Sequence, residues 1–136
     1  LVPLLSAFGP KRIVTSPWKR CVDTVAPFAK KKKLKIIERF QLSERKNTNR
    51  PKSTENVVRD EIFETKNSLI CSHRPALPSI LDEVAKRANV AASLQLHQAR
   101  SLKPGDFAVV RLTKAKKPKV AAVEFYSVEE ARPISV

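Results

Sequence analysis

The chain has 136 residues and a mass of 15.3 kDa, enough for one modest hydrophobic core and too little to expect two full domains. It carries 27 Lys and Arg against 13 Asp and Glu, a formal net charge of +14, and such an excess calls for a polyanion that displaces small counterions. An apolar fraction of 42% excludes a wholly disordered polyelectrolyte; two cysteines outside any CxxC pair, Cys21 and Cys71, exclude a disulfide framework and a four-cysteine zinc site. No apolar run approaches the roughly 18 residues that a membrane-crossing helix needs.

The charge is concentrated at the front, with residues 1–54 at net +11 and residues 55–136 at net +3. Pro3, Pro10, Pro17 and Pro27 recur there, and each removes an amide donor and biases its predecessor toward extended backbone. Residues 1–33 therefore read as an extended basic arm. Its apolar side chains, among them Leu4, Leu5, Ile13, Val14 and Phe28, require that it lie on something. From Leu34, alternation through Ile36, Phe40 and Leu42 fits a half-buried strand, with a helix from near Lys31 as the competing reading. Residues 43–53 are polar and contain Asn49-Arg50-Pro51, so they read as a loop.

Val57, Val58, Ile62 and Phe63, followed by Leu69, Ile70 and Cys71, read as a helix and a short strand, or as two strands. Ser79 with Asp82 opens a long helix whose apolar face runs from Leu81 through Val84, Ala88, Ala92, Leu96 and Ala99 to Leu102, where Lys103-Pro104-Gly105 ends it. Residues 107–113 and 120–126 are β-rich and enclose a basic turn, which predicts a hairpin. The expected fold is α+β: an extended arm over 1–33, a small body over 34–126 with one long helix and a C-terminal β-hairpin, and a tail over 127–136.

The candidate binding residues are cations. Lys30, Lys31, Lys32, Lys33 and Lys35 form one cluster, and Arg111, Lys114, Lys116, Lys117 and Lys119 form a second at the hairpin tip, both suited to nucleic-acid phosphates. Trp18 can stack on an unpaired base while Lys11, Arg12, Lys19 and Arg20 hold phosphates around it. The first cluster also matches a simple nuclear-import signal. The segment Asp82 to Val90 resembles the first helix and turn of bacterial helix-turn-helix repressors, although one continuous helix explains the same residues.

Enzyme motifs are missing: no Gly-rich phosphate loop, no GxSxG elbow and no HExxH. Cys71-Ser72-His73 sets a thiol beside an imidazole, but adjacency in sequence does not make a site, and the reading is a buried thiol next to a surface imidazole. His97 reads as a helix flank. The whole chain is similar in build to ribosomal proteins as a class, which combine a small folded body with basic, Pro-containing extensions. That likeness implies a non-catalytic structural subunit of an organelle ribosome, most simply mitochondrial, since the chain begins at Leu1 and holds no Met, as removal of a presequence would leave it. Its partners would be rRNA and neighbouring ribosomal proteins, with no cofactor, metal or small-molecule substrate, in the mitochondrial matrix or alternatively the nucleus. The competing expectations are an accessory subunit of an organelle membrane complex and a nuclear DNA- or chromatin-binding protein.

Overall fold

The strand Arg12–Thr15 (β1) organises the molecule. Ile13, Val14 and Thr15 are completely buried, and a short strand with neither face exposed belongs at the centre of a parallel sheet covered on both sides. The structure, a computed structural model, describes residues 2–64 and 66–127. In it β1 lies between two parallel neighbours, Ile36–Glu38 (β2) and Ser68–Cys71 (β3). Ile13 stands opposite Ile36 and Leu69, and Val14 opposite Ile37 and Ile70.

Strand alternation sends these two rows into two different cores. Ile13, Ile36 and Leu69 pack with Leu5 of helix Val2–Phe8 (α1) and with Val25, Phe28 and Ala29 of helix Lys19–Lys32 (α2). Val14, Ile37 and Ile70 join the larger core. A short helix, Glu44–Asn49 (α3), leads to the helices that build it: Pro51–Ile62 (α4), Leu77–Ala85 (α5) and Val90–Gln98 (α6). They contribute Val57, Val58, Ile80, Leu81, Val84 and Leu96, while Leu42 comes from the turn after β2.

The α+β class stands, and so does the hairpin. Phe107–Leu112 (β4) pairs antiparallel with Val120–Tyr126 (β5), and the segment over 57–71 is helix followed by strand. An aromatic cluster ties the hairpin to α1: the Phe8 ring lies 5.0 Å from Tyr126 and 6.0 Å from Phe107, which stacks on Tyr126 at 5.3 Å. The Val120 N–H donates to the Arg87 carbonyl at 2.9 Å, joining β5 to the end of α5.

The extended arm is corrected to α1, β1 and α2. Pro3 sits in the first turn of α1, where the amide has no helical partner, and Pro10 and Pro17 lie just outside the two ends of β1. Pro27 lies on the exposed side of α2, which continues through it. These prolines bracket elements more than they break them. The boundary expected at 33/34 therefore falls between β1 and β2 of one sheet, and residues 34–126 are not a separate body.

The predicted loop over 43–53 is helical as well. Ser43 caps α3 by accepting the Lys46 N–H at 3.2 Å, and Pro51 opens α4 at the position where proline is favoured. The single long helix is in fact α5 and α6, separated at Lys86 to Asn89. Asn89 starts α6 by accepting the Ala92 N–H at 2.8 Å, and α5 begins at Leu77 rather than Ser79. Beyond Ser127 the expected tail lies outside the described residues.

Candidate active site

In the strand order β2-β1-β3 the chain leaves β1 for one edge and returns on the other side. The carboxyl ends of β1 and β3 therefore flank a topological switch point, the crevice where open parallel sheets bind ligands. Ser16 follows β1 directly, and His73 comes two residues after β3. The Ser16 N–H donates to the Cys71 carbonyl at 2.9 Å, which fixes the two strand ends together. Ser16 Oγ then lies 2.8 Å from His73 Nε2. Ser16 Oγ also accepts the Trp18 N–H at 3.4 Å, which leaves it one hydrogen and one lone pair for its neighbours in the site.

Helix α2 starts immediately beyond this contact, bringing Trp18, Lys19 and Arg20 to the same end of the sheet. No side chain caps the helix, so the positive end of its dipole is left for a ligand. The third wall comes from the segment after β2. The Arg39 N–H donates to the Thr15 carbonyl at 2.8 Å, and Ser72 Oγ donates to the Leu42 carbonyl, so the turn that leads into α3 is bound to both β1 and β3. Glu44, the first residue of α3, is thereby placed with Oε1 3.0 Å from Arg20 Nη2 and 3.5 Å from His73 Nδ1. Arg20 Nη2 is itself 3.5 Å from His73 Nδ1.

Trp18, Lys19, Arg20, Glu44 and His73 line a groove of about 560 Å³ together with Arg45, Thr48 and Asn49. Three cations, Lys19, Arg20 and Arg45, face one carboxylate, Glu44, among the lining residues. Burial pushes His73 below the ordinary histidine value; Glu44 opposes that and Arg20 reinforces it, so the ring is neutral at neutral pH. A neutral imidazole N–H, a guanidinium on a side chain that is 76% exposed and a helix N-terminus together suit a tetrahedral oxyanion, with the Glu44 carboxyl beside it. Among the described residues no group of three or more His, Cys, Asp or Glu is placed to hold a metal ion.

The basic residues singled out in the sequence are dispersed. Trp18, Lys19 and Arg20 line the groove. Arg12 is engaged at the opposite end of β1, where Glu61 takes its Nε at 2.8 Å and its second nitrogen at 3.0 Å. Lys11 and Lys35 are exposed away from the groove, and Lys30, Lys31 and Lys32 close the last turn of α2, where cations complement the helix dipole. Lys33 is the left-handed cap of that helix. Arg111 pairs with Glu124 at 2.9 Å and lies over the Phe8 ring, while Lys114, Lys116, Lys117 and Lys119 are exposed on the β4–β5 connection.

His73 corrects the surface-imidazole reading, since it is only 6% exposed. Glu44, Arg45, Thr48 and Asn49 also line the groove, although they fall in the stretch expected to be a loop and were not among the expected site residues. The available signal was a polar step after each of two apolar runs, Ser16-Pro17 after Ile13-Val14-Thr15 and Ser72-His73 after Leu69-Ile70-Cys71.

Residues 1–65, just under half of the chain, match the family model of the histidine phosphatase superfamily (branch 1). The matched stretch contains Ser16, Arg20 and Glu44 and stops before His73. No curated protein matches the chain. The match corrects the expected function. A family of phosphatases is catalytic, which conflicts with a non-catalytic ribosomal subunit, with rRNA and ribosomal proteins as the partners, with the absence of a small-molecule substrate, and with the membrane-complex and chromatin alternatives.

Proposed function

We propose that the groove binds a phosphoryl group and that the chain acts as a phosphatase on small phosphate esters. The observation that carries this is the convergence of Arg20, His73 and Glu44, from three different elements, within 3.5 Å of one another at the carboxyl ends of β1 and β3. The family match over residues 1–65 supports the same reaction class.

Arg20 and the N-terminus of α2 hold the non-bridging oxygens and offset the charge that spreads over them in the transition state. His73 donates Nδ1–H to another of these oxygens. With Nε2 held by Ser16 and a side chain only 4% exposed, it is built to bind and orient rather than to attack. Glu44, on the facing wall, passes a proton to the leaving oxygen as the ester P–O bond breaks. Water attacks phosphorus, forming a new P–O bond and returning one of its protons to Glu44, so that hydrolysis releases an alcohol and inorganic phosphate.

The test is release of inorganic phosphate from p-nitrophenyl phosphate and a panel of sugar and aryl phosphates, with inorganic phosphate as competitor and its binding followed by calorimetry. Turnover inhibited competitively by phosphate is expected. The absence of both turnover and phosphate binding would overturn the reading.

A further inference from the structure

Behind His73, and outside the residues that line the groove, lie two thiols that phosphoryl transfer does not use. Cys21 lies in the first turn of α2, next to Arg20, and Cys71 ends β3, two residues before His73. They are 50 residues apart in sequence, yet each side chain reaches the backbone of the other's segment: Cys71 Sγ is 3.8 Å from the Cys21 carbonyl, and Cys21 Sγ is 3.5 Å from the carbonyl of Ser72, the residue after Cys71. Cys21 Sγ lies 3.8 Å from His73 Nδ1 and 3.7 Å from His73 Nε2. Both cysteines are free. A cysteine that only fills space has apolar neighbours; Cys21 instead faces a second thiol and an imidazole at the back of a cationic groove.

We propose that Cys21 and Cys71 are an oxidisable dithiol, a modification site whose disulfide weakens phosphate binding in the groove; the second half of this rests on the phosphoryl reading above. The oxidant is a small hydroperoxide. Cys21 thiolate attacks the peroxide, forming an S–O bond as the O–O bond breaks and the alcohol, or water from hydrogen peroxide, leaves with a proton. Cys71 then loses its proton, its sulfur attacks Cys21 Sγ, and the S–O bond breaks to release water. Two thiols lose two electrons and two protons in all, and the peroxide gains them.

The local chemistry favours that order. The Cys71 side chain lowers the Cys21 thiol below the usual cysteine value; burial opposes it, and Arg20 and Ser16 reinforce it. Cys21 and burial in turn push Cys71 up, so it serves as the second, resolving thiol. An S–S bond of ~2.05 Å draws Cys21 Sγ toward Cys71 and pins the first turn of α2, which carries Arg20, to the end of β3. The packing behind His73 shifts with it.

The experiment treats the full chain with hydrogen peroxide and then with dithiothreitol, mapping peptides without reduction and measuring inorganic phosphate binding and p-nitrophenyl phosphate turnover in each state. The expected result is a Cys21–Cys71 cross-linked peptide two hydrogens lighter than the dithiol. Phosphate affinity and turnover should fall about tenfold, in line with small displacements at reacting groups, and recover on reduction. In Cys71→Ser the cross-link is lost and a dimedone-reactive sulfenic acid collects at Cys21. Thiols that stay fully alkylatable after peroxide, or a cross-link that leaves phosphate binding unchanged, would sink the proposal. A chain that cross-links but binds no phosphate even when reduced overturns the groove reading and the switch, while the dithiol site stands on its peptide map.

Discussion

Arg12 and Arg20 mark the two ends of the parallel sheet, and their surroundings differ in kind. At the amino end, Arg12 meets Glu61 through two parallel N–H···O contacts, and Glu61 also accepts from Ser68 Oγ at 2.7 Å. The Glu61 side chain is only 6% exposed, so the guanidinium is fully engaged in closing that end. At the carboxyl end, Arg20 has a single short side-chain contact, to the half-exposed Glu44, and most of its side chain is open to solvent beside the groove. The same residue type therefore serves structure where a buried carboxylate matches it, and remains available to a ligand where the match is partial.

The largest expected effect tests the open end. Arg20→Ala should lower kcat/KM for p-nitrophenyl phosphate by about 10²–10³, the usual loss on removing one transition-state donor, with little change in melting temperature. Arg20→Lys restores only part of it, because a point charge does not reproduce the guanidinium fork. The closed end should give the reverse pattern. Glu61→Gln leaves Arg12 without its bidentate partner at a half-closed position, between a surface and a buried pair, and should cost about 2 kcal/mol. That corresponds to a fall of about 8 °C in melting temperature, with turnover of the folded protein unchanged.

Acid sharpens the same contrast. Burial raises Glu61, but hydrogen bonds from Arg12 and Ser68 outweigh it, and the carboxyl sits below its ordinary range. The unfolded chain thus takes up the Glu61 proton first as pH falls, so the stability Glu61 gives is present above its unfolded value, ~4.3, and is lost as pH drops through the folded one. His73 is also depressed, but it is neutral when deprotonated. Its contribution is present above ~6.5 and declines as pH falls from there toward the lower folded value. Thermal melts should show two acid slopes, the upper one missing in His73→Gln and the lower one in Glu61→Gln. A single slope shared by both variants would show that the two ends do not titrate independently.

The elements that were legible in the sequence are those whose local pattern decides them. Residues 107–112 and 120–126 carry β-branched and aromatic runs around a basic turn and form the hairpin as expected. The class α+β followed from the same kind of signal. β1 was missed because four residues cannot show a period, and a central parallel strand has no polar face to alternate. The prolines around it read as breakers, although Pro10 and Pro17 only flank it. The helix over 79–102 carries an apolar periodicity that runs through Asn89, whereas tight turns at Arg87 and Ala88 end α5 and the Asn89 cap contact to Ala92 starts α6. Arg20 is among the phosphate ligands expected from the sequence. Its association with Glu44 and His73 could not be read, since those residues meet only when β1 and β3 pair over 56 positions of chain.

The smallest expected effect concerns the second basic cluster, and it separates charge from geometry. Lys114, Lys116, Lys117 and Lys119 are exposed on the β4–β5 connection and none of them lines the groove. Replacing all four with Ala removes more positive charge than replacing Arg20, yet stability should stay within about 0.5 kcal/mol. Turnover can change only through the long-range field, which raises the local concentration of an anionic substrate. Screening over ~10 Å at 0.1 M salt should hold that change to about twofold and abolish it at higher ionic strength. Measured across a salt series, a loss that persists at 0.5 M would put the connection in direct contact with substrate. A loss that disappears with salt leaves the groove end of the sheet as the place where cation geometry, and not cation number, decides binding.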